Sequence, residues 1–393
     1  MGTPTNRRDQ APVAGRGPSV EPFGTRPAVG SRGSGTHVTA TMPGPWPGTD
    51  PVEAAKVSLG LFTPPQLPSL PQLPSRGIGS DAVGRTASLL VELPVDVQPY
   101  GWRLVDRPGN DHRRAVSALS TDINVLADVA GASELALPEL KVQAVGPLSL
   151  AAAVHLHYGE RALRDYGARR DIAQSLSAGL AVHAEKVAAA VPGAGLTLQI
   201  DEPAVAAALA GTIATASGYR TLRAISASEL RQTWTTFVSA ARDAGFAQVA
   251  LNLAPALDEG GPEAAPAWTR RAESDAWRKA LELALESGVD AVAVPLDRLD
   301  TGHWEQLAGA VESGFGVWAG TVPARPGQVP PSYSVLVERI MRPWRGLGLA
   351  ESSLGLLRVT PESGLAGVSP AEARAVVDRT LEVARALTEL RHA

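Results

Sequence analysis

The chain is 393 residues long, 44% hydrophobic and only 19% charged, with a formal net charge of −4. That size and apolar content allow one large domain or two ordinary ones, and the slight negative balance offers no positive field to gather nucleic-acid phosphates. Cysteine is absent altogether, which excludes disulfides, thiolate metal ligands and cysteine nucleophiles.

Residues 1–36 are rich in Gly, Pro, Ser and Arg without apolar periodicity, the composition of a disordered tail. The first candidate strand, His37–Thr41, follows. Pro64–Gly79 is a proline-rich connector, expected to run extended across one end of the fold. Further strands are predicted at Trp102–Val105, Lys141–Gly146, Leu196–Asp201, Gln248–Leu253, Val289–Pro295, Gly316–Val322 and Leu356–Thr360. Helical patterns lie between them. Ser226-x-x-Glu229 reads as a capping box, and Gly245 ends that helix. Asp258–Pro266 reads as an exposed acidic loop, Arg270–Ser287 as a helix, and Ser369-Pro370-x-Glu372 as the opening of the last helix. The strands read as nearly continuous apolar runs, which points to a parallel sheet covered on both faces. Eight of them with intervening helices predict an α/β fold, a single-domain (β/α)8 TIM barrel over 37–393. No glycine-rich phosphate turn follows an early strand, as a doubly wound sheet would require. No apolar run reaches membrane-spanning length and no secretory signal pattern opens the chain, so the expected setting is cytoplasmic, without membrane partners.

In such a barrel the working groups stand at the carboxyl ends of strands. The most informative of these ends is Leu198-Gln199-Ile200-Asp201-Glu202-Pro203. Two adjacent carboxylates are costly to desolvate unless something cationic meets them. A ligand amino group would serve, as would a barrel arginine or the N-terminus of the next helix. His155 and His157 are two apart on a predicted helix, about 200° around its axis, so they cannot share one ion. Trp318 is a candidate stacking surface, with core packing as the alternative.

Several of these segments resemble the carboxyl-terminal catalytic half of cobalamin-independent methionine synthase, in its short single-barrel, actinobacterial form. The matching strings include PGTDPVEAAK (47–56), YGWRLVDRPGNDHRRA (100–115), KVQAVGPLSLAAAVHLHYGERAL (141–163), LQIDEPAVAAALAG (198–211) and TPESGLAG (360–367). The resemblance implies methyl transfer to homocysteine, held as thiolate by a zinc ion on one His, two Cys and one Glu. The methyl donor would be a methylfolate or a methylcorrinoid protein. The resemblance also implies that Asp201, with Glu202 beside it, holds the substrate ammonium. Ala40 and Thr41 match a Gly-Ser pair that meets the substrate carboxylate, and Gly146-Pro147 match the folate face. The zinc-ligand positions match Leu251, Leu253, Pro295 and Ser363, with Asp297 two residues beyond Pro295. Leucines cannot hold a divalent ion and a serine hydroxyl is a poor zinc ligand.

The reading is therefore a divergent, metal-free member or pseudoenzyme that keeps binding of a homocysteine- or methionine-like amino acid, with no cofactor predicted. One alternative is an active methyltransferase whose zinc has moved to Glu362, Asp297 and a histidine. Another is a metal-free barrel like the related uroporphyrinogen decarboxylases, which would need arginines at the mouth. Arg76, Arg85, Arg103, Arg107, Arg113 and Arg114 are its candidates.

Overall fold

The computed structural model describes residues 35–133, 136–255 and 267–392. The predicted tail, but for its last two residues, and the Asp258–Pro266 loop lie outside them. The chain begins with β1 (Thr39–Ala40), α1 (Pro51–Leu61), α2 (Ala82–Ala87), β2 (Val95–Gln98), β3 (Gly101–Leu104) and α3 (Asn110–Ala132). It continues through β4 (Glu139–Val145), α4 (Pro147–Ala153), α5 (Tyr166–Ala190), β5 (Gly195–Asp201), α6 (Val205–Ala210) and α7 (Ala227–Asp243). The remainder is β6 (Phe246–Asn252), α8 (Ala267–Glu286), β7 (Ala291–Pro295), α9 (Thr301–Glu312), β8 (Gly316–Val322), α10 (Tyr333–Gly346), β9 (Leu357–Pro361) and α11 (Pro370–His392).

Seven strands form one curled parallel sheet in the order β1-β9-β8-β7-β6-β5-β4. The regular ladder does not close into the predicted eight-stranded barrel. The expected second strand, around Trp102, lies instead in β3 and pairs antiparallel with β2. Only Pro99 and Tyr100 separate Gln98 from its partner Gly101, and so short a connection permits a hairpin but not a parallel crossover. Gly101 takes a φ of 122° at the turn, where a side chain would be strained.

The proline-rich connector does not lie across an end of the fold. It runs alongside the sheet between β1 and β4. Leu67 N–H donates to Ala40 at 3.0 Å, and Thr41 Oγ1 donates to the Leu67 carbonyl at 2.8 Å. On the other side Leu70 N–H donates to Lys141 and Lys141 N–H to Pro68, both at 2.9 Å. Pro68 and Pro71 have no N–H to give, so these contacts remain isolated bridges, as at Ser69–Lys141.

The outer face of the sheet packs against the helices through a continuous apolar core that includes Leu198, Ile200, Leu251, Leu253, Trp234 and Leu281. The inner face differs from the expected apolar run. A small cluster of Leu67, Ala250, Ala291, Ala293 and Trp318 leaves room for Lys141 and Arg358, which lie 5.9 and 5.2 Å from the Trp318 ring centroid. Two cations against one indole give the interior a favourable but polar filling.

Helix ends follow their local chemistry. Ser226 Oγ caps α7 by accepting from Glu229 N–H at 3.2 Å. Glu229 does not complete the box, because its carboxylate takes Arg169 instead at 2.6 and 3.1 Å. At α11 the exchange is reciprocal: Glu372 N–H donates to Ser369 Oγ and Ser369 N–H to Glu372 Oε2. His155 and His157 are not helical, since α4 ends at Ala153. His155 bridges Arg103 and Arg161 in extended backbone.

Gly179 within α5 meets the backbone of Leu89 so closely that an added Cβ would sit 1.7 Å from its carbonyl oxygen. Helix propensity alone favours alanine there by about 1 kcal/mol. Packing reverses the sign. Gly179→Ala is expected to destabilise by about 3 kcal/mol. Gly131→Ala in α3, where a Cβ meets nothing within 4 Å, is expected to stabilise by about 0.5–1 kcal/mol. Urea unfolding of both variants checks the contrast.

Candidate functional site

Strand alternation separates the two acids that the sequence sets side by side. Asp201 ends β5 facing the interior, whereas Glu202 turns outward and is fully buried. Glu202 accepts from the N–H groups of Leu148 at 3.2 Å and Ser149 at 2.8 Å, and from Trp234 Nε1 at 3.1 Å. It thereby satisfies free donors at the start of α4. Burial pushes its carboxyl up, and the bonds from Ser149, Trp234 and Leu148 pull against that. Gly146 is required by this clamp, because a Cβ there would lie 2.3 Å from Glu202 Oε1.

Asp201 belongs to a chain of polar contacts inside the sheet. Lys141 Nζ donates to Gln199 Oε1 at 2.6 Å, and Gln199 Nε2 donates to Asp201 Oδ1 at 2.7 Å. The Pro43 carbonyl accepts from both Lys141 Nζ, at 3.3 Å, and Gln199 Nε2, at 3.0 Å. A lysine donates only, so its contact fixes which end of the Gln199 amide is oxygen. Asn252 Nδ2 also donates to Asp201 Oδ1, at 2.8 Å. Both bonds fall on Oδ1, and Oδ2 has no hydrogen-bond partner among the described residues.

Asp201 lines a cavity of about 380 Å³ at the carboxyl ends of the strands, together with Pro43, Asn252, Pro295, Trp318 and Glu362. Trp318 is nearly buried and forms part of its wall. Burial pushes Lys141 down to about 7, with Asp201 opposing and Arg358 adding to the shift. Burial likewise raises the Asp201 carboxyl, against its bonds from Gln199 and Asn252 and the attraction of Lys141.

Of the predicted substrate residues, Asp201 alone lines this cavity. Ala40 packs in the outer core, and the hydroxyl of Thr41 is engaged by Leu67. Gly146 and Pro147 serve the Glu202 clamp and the start of α4. Of the positions matched to zinc ligands, Pro295 and Ser363 reach the cavity. Leu251 and Leu253 do not, being fully buried on the outer face. The residues of that segment that line the cavity are Asn252, Ala254 and Pro255. Sequence reasoning missed Lys141, Gln199 and Asn252 as members of the site.

The donor chemistry does not suit zinc. The cavity offers an amide, a methyl group, a proline ring and a hydroxyl at the compared positions, and no histidine lines it. Among the described residues no three His, Asp or Glu side chains stand together so as to hold a metal ion. Glu362 and Asp297 do share a neighbouring chamber, with Arg325 and Arg339 rather than a histidine beside them. None of the six early arginines lines the Asp201 cavity. Arg76 and Arg85 both bind Asp122, Arg113 bonds Pro108 and Asn110, and Arg114 pairs with Asp111. No described helix is long and apolar enough to cross a membrane.

No protein-family model matches the chain, and no curated protein matches it. Among solved structures it is similar to a candidate vitamin-B12-independent methionine synthase from Listeria monocytogenes. That match has 13% identity and a TM-score of 0.44 over 90% of this chain and 96% of the other. A methyltransferase from Methanosarcina mazei gives 13% identity and a TM-score of 0.48, covering 88% and 92% of the two chains. A candidate fructose-1,6-biphosphate aldolase from Coccidioides immitis gives 11% identity and 0.34, covering 91% and 90%.

Between about 7 and the ordinary lysine value of 10.5 the folded chain has lost the Lys141 proton while the unfolded chain keeps it. Stability from this group therefore rises with pH across that window. Lys141→Met is expected to abolish that rise in urea unfolding; an unchanged slope in the variant would remove Lys141 as its source.

Proposed function

We propose that the chain is a small-molecule-binding protein of the methionine-synthase-like type, whose mouth holds the ammonium group of a homocysteine- or methionine-like amino acid on Asp201. One observation carries this: Asp201 lines a cavity of about 380 Å³ with Oδ1 pinned by two amides and Oδ2 without a hydrogen-bond partner among the described residues. A carboxylate fixed in this way presents one oxygen in a set direction, which is what recognition of a compact cation needs. The Gln-Ile-Asp-Glu-Pro string that the chain shares with the family supports the same assignment.

On this reading zinc-activated methyl transfer has been lost. Activation of a thiol at neutral pH needs the metal to stabilise thiolate, and the surrounding amide, methyl, proline and hydroxyl groups cannot supply its donors. A methylfolate or methylcorrinoid would then have no metal-held thiolate to meet. We also take Leu67–Gln72 as the stand-in for the second strand, which would make the sheet a distorted (β/α)8 barrel with its mouth at Asp201.

Calorimetric titration with methionine and homocysteine tests the proposal. Asp201→Asn keeps the shape but removes the charge, and is expected to weaken binding by about tenfold or more. Equal affinity in the variant would refute the role of Asp201, and stoichiometric zinc in freshly purified protein would refute the metal-free reading.

A further inference from the structure

Four ionisable side chains converge on a second chamber, of about 460 Å³, beside the Asp201 cavity. Asp297 comes from the segment after β7, Arg325 from the loop after β8, Arg339 from α10 and Glu362 from the end of β9. Several ion pairs elsewhere in the fold are tight: Arg169 reaches Glu229 at 2.6 Å, Arg278 reaches Asp300 at 2.6 Å, and Arg76 and Arg85 share Asp122. Here the shortest ionic contact is 4.0 Å, between Arg339 Nη1 and Glu362 Oε1. Among the described residues none of the four makes a side-chain hydrogen bond. Glu362 is mostly buried while Asp297, Arg325 and Arg339 also reach solvent, and charged groups around a cavity without protein partners leave donors for something that enters it.

The charge balance says which kind of molecule that is. Burial, and then repulsion from Asp297, hold the Glu362 carboxyl up at about 7 against the pull of Arg325, Arg339 and Arg298. Those groups come from the segment after β7, the loop after β8 and α10. With Glu362 neutral, Arg325 and Arg339 on the wall and Arg298 nearby outweigh Asp297. A neutral carboxyl can also donate a hydrogen bond, and guanidinium forks match planar or tetrahedral oxyanions.

We infer that this chamber is a subsite for the acidic group, a carboxylate or a phosphate, of a small molecule, gripped by Arg325 and Arg339 with Glu362 as a third hydrogen-bond partner. It does not depend on the role given to Asp201. Glu362 lines both cavities, so an acidic group held here lies next to whatever occupies the mouth.

Titration calorimetry of the full chain with glutarate, and separately with inorganic phosphate, tests the subsite. Neither probe carries an amine, so neither needs Asp201. The probe that binds more tightly names the acidic group. The double variant Arg325→Gln/Arg339→Gln is expected to weaken binding by about tenfold or more. Arg278→Gln, a surface arginine paired with Asp300, is expected to leave it unchanged. Glutarate should bind wild type more tightly at about pH 6 than at about pH 8, and Glu362→Gln should flatten that difference. Binding of neither probe, equal binding by the double variant, or equal weakening by Arg278→Gln overturns the subsite. A pH difference that survives in Glu362→Gln overturns the part given to Glu362.

Discussion

Lys141 is fully buried inside the curled sheet, among Thr197, Gln143 and Gln199, and the mouth is arranged around the cost of keeping a charge there. A lone ammonium in such a place would be expelled or neutralised. Here Gln199 Oε1 accepts a hydrogen bond from Lys141 Nζ and Gln199 Nε2 donates one to Asp201 Oδ1, so the amide dipole passes the favourable field on to the carboxylate. The amide thus joins a buried cation to a carboxylate that it does not touch directly. Asp201 is held by this arrangement as much as by its own strand. The small side chains of Ala250, Ala291 and Ala293 make room for the lysine, Arg358 and Trp318.

The same strand shows how one residue of parity decides a role. Asp201 and Glu202 are adjacent, yet one serves a cavity and the other holds the start of a helix. Parallel neighbours in register face the same way. Asp201 is paired with Asn252 across β5 and β6, so Asn252 faces inward and Leu251 and Leu253 must face the helices. Matching two of the zinc-ligand positions to Leu251 and Leu253 places them one step out of phase with the cavity. Moving the comparison to Asn252 and Ala254 does not restore a zinc site, because an amide and a methyl group are no better.

Seven strands of the sheet were legible because each is a short β-prone segment with a glycine or proline close to one end. The second was not. Trp102–Val105 has strand-like composition, but the turn at Pro99-Tyr100 commits it to a hairpin. The segment that does lie between β1 and β4 carries prolines that disguise it as a connector. Inside the sheet the signal was present and overlooked. Lys141-x-Gln143, Gln199-x-Asp201 and Arg358-x-Thr360 alternate polar residues at period two, the mark of a strand with one polar face. The Asp201 mouth could be read from its acid at a strand end. The chamber at Glu362 could not, since Asp297, Arg325, Arg339 and Glu362 are brought together only by the curl of the sheet and the packing of α10.

The two inward carboxyl groups of the mouth are held by opposite means, and the difference bears on what each can do. Asp201 has one oxygen tied by two amides and a buried lysine behind it, so its position and charge are shared with the interior. Glu362 has no such ties, and its nearest cation stays 4.0 Å away. Its charge is set by burial and by Asp297 on one side and the arginines on the other. A tied carboxylate favours fixed recognition, because its hydrogen bonds hold it in place before a ligand arrives. An untied one near neutrality can change protonation when its surroundings change. A ligand that reaches only Asp201 meets a preformed contact, whereas one that extends past Glu362 alters the field that sets its proton.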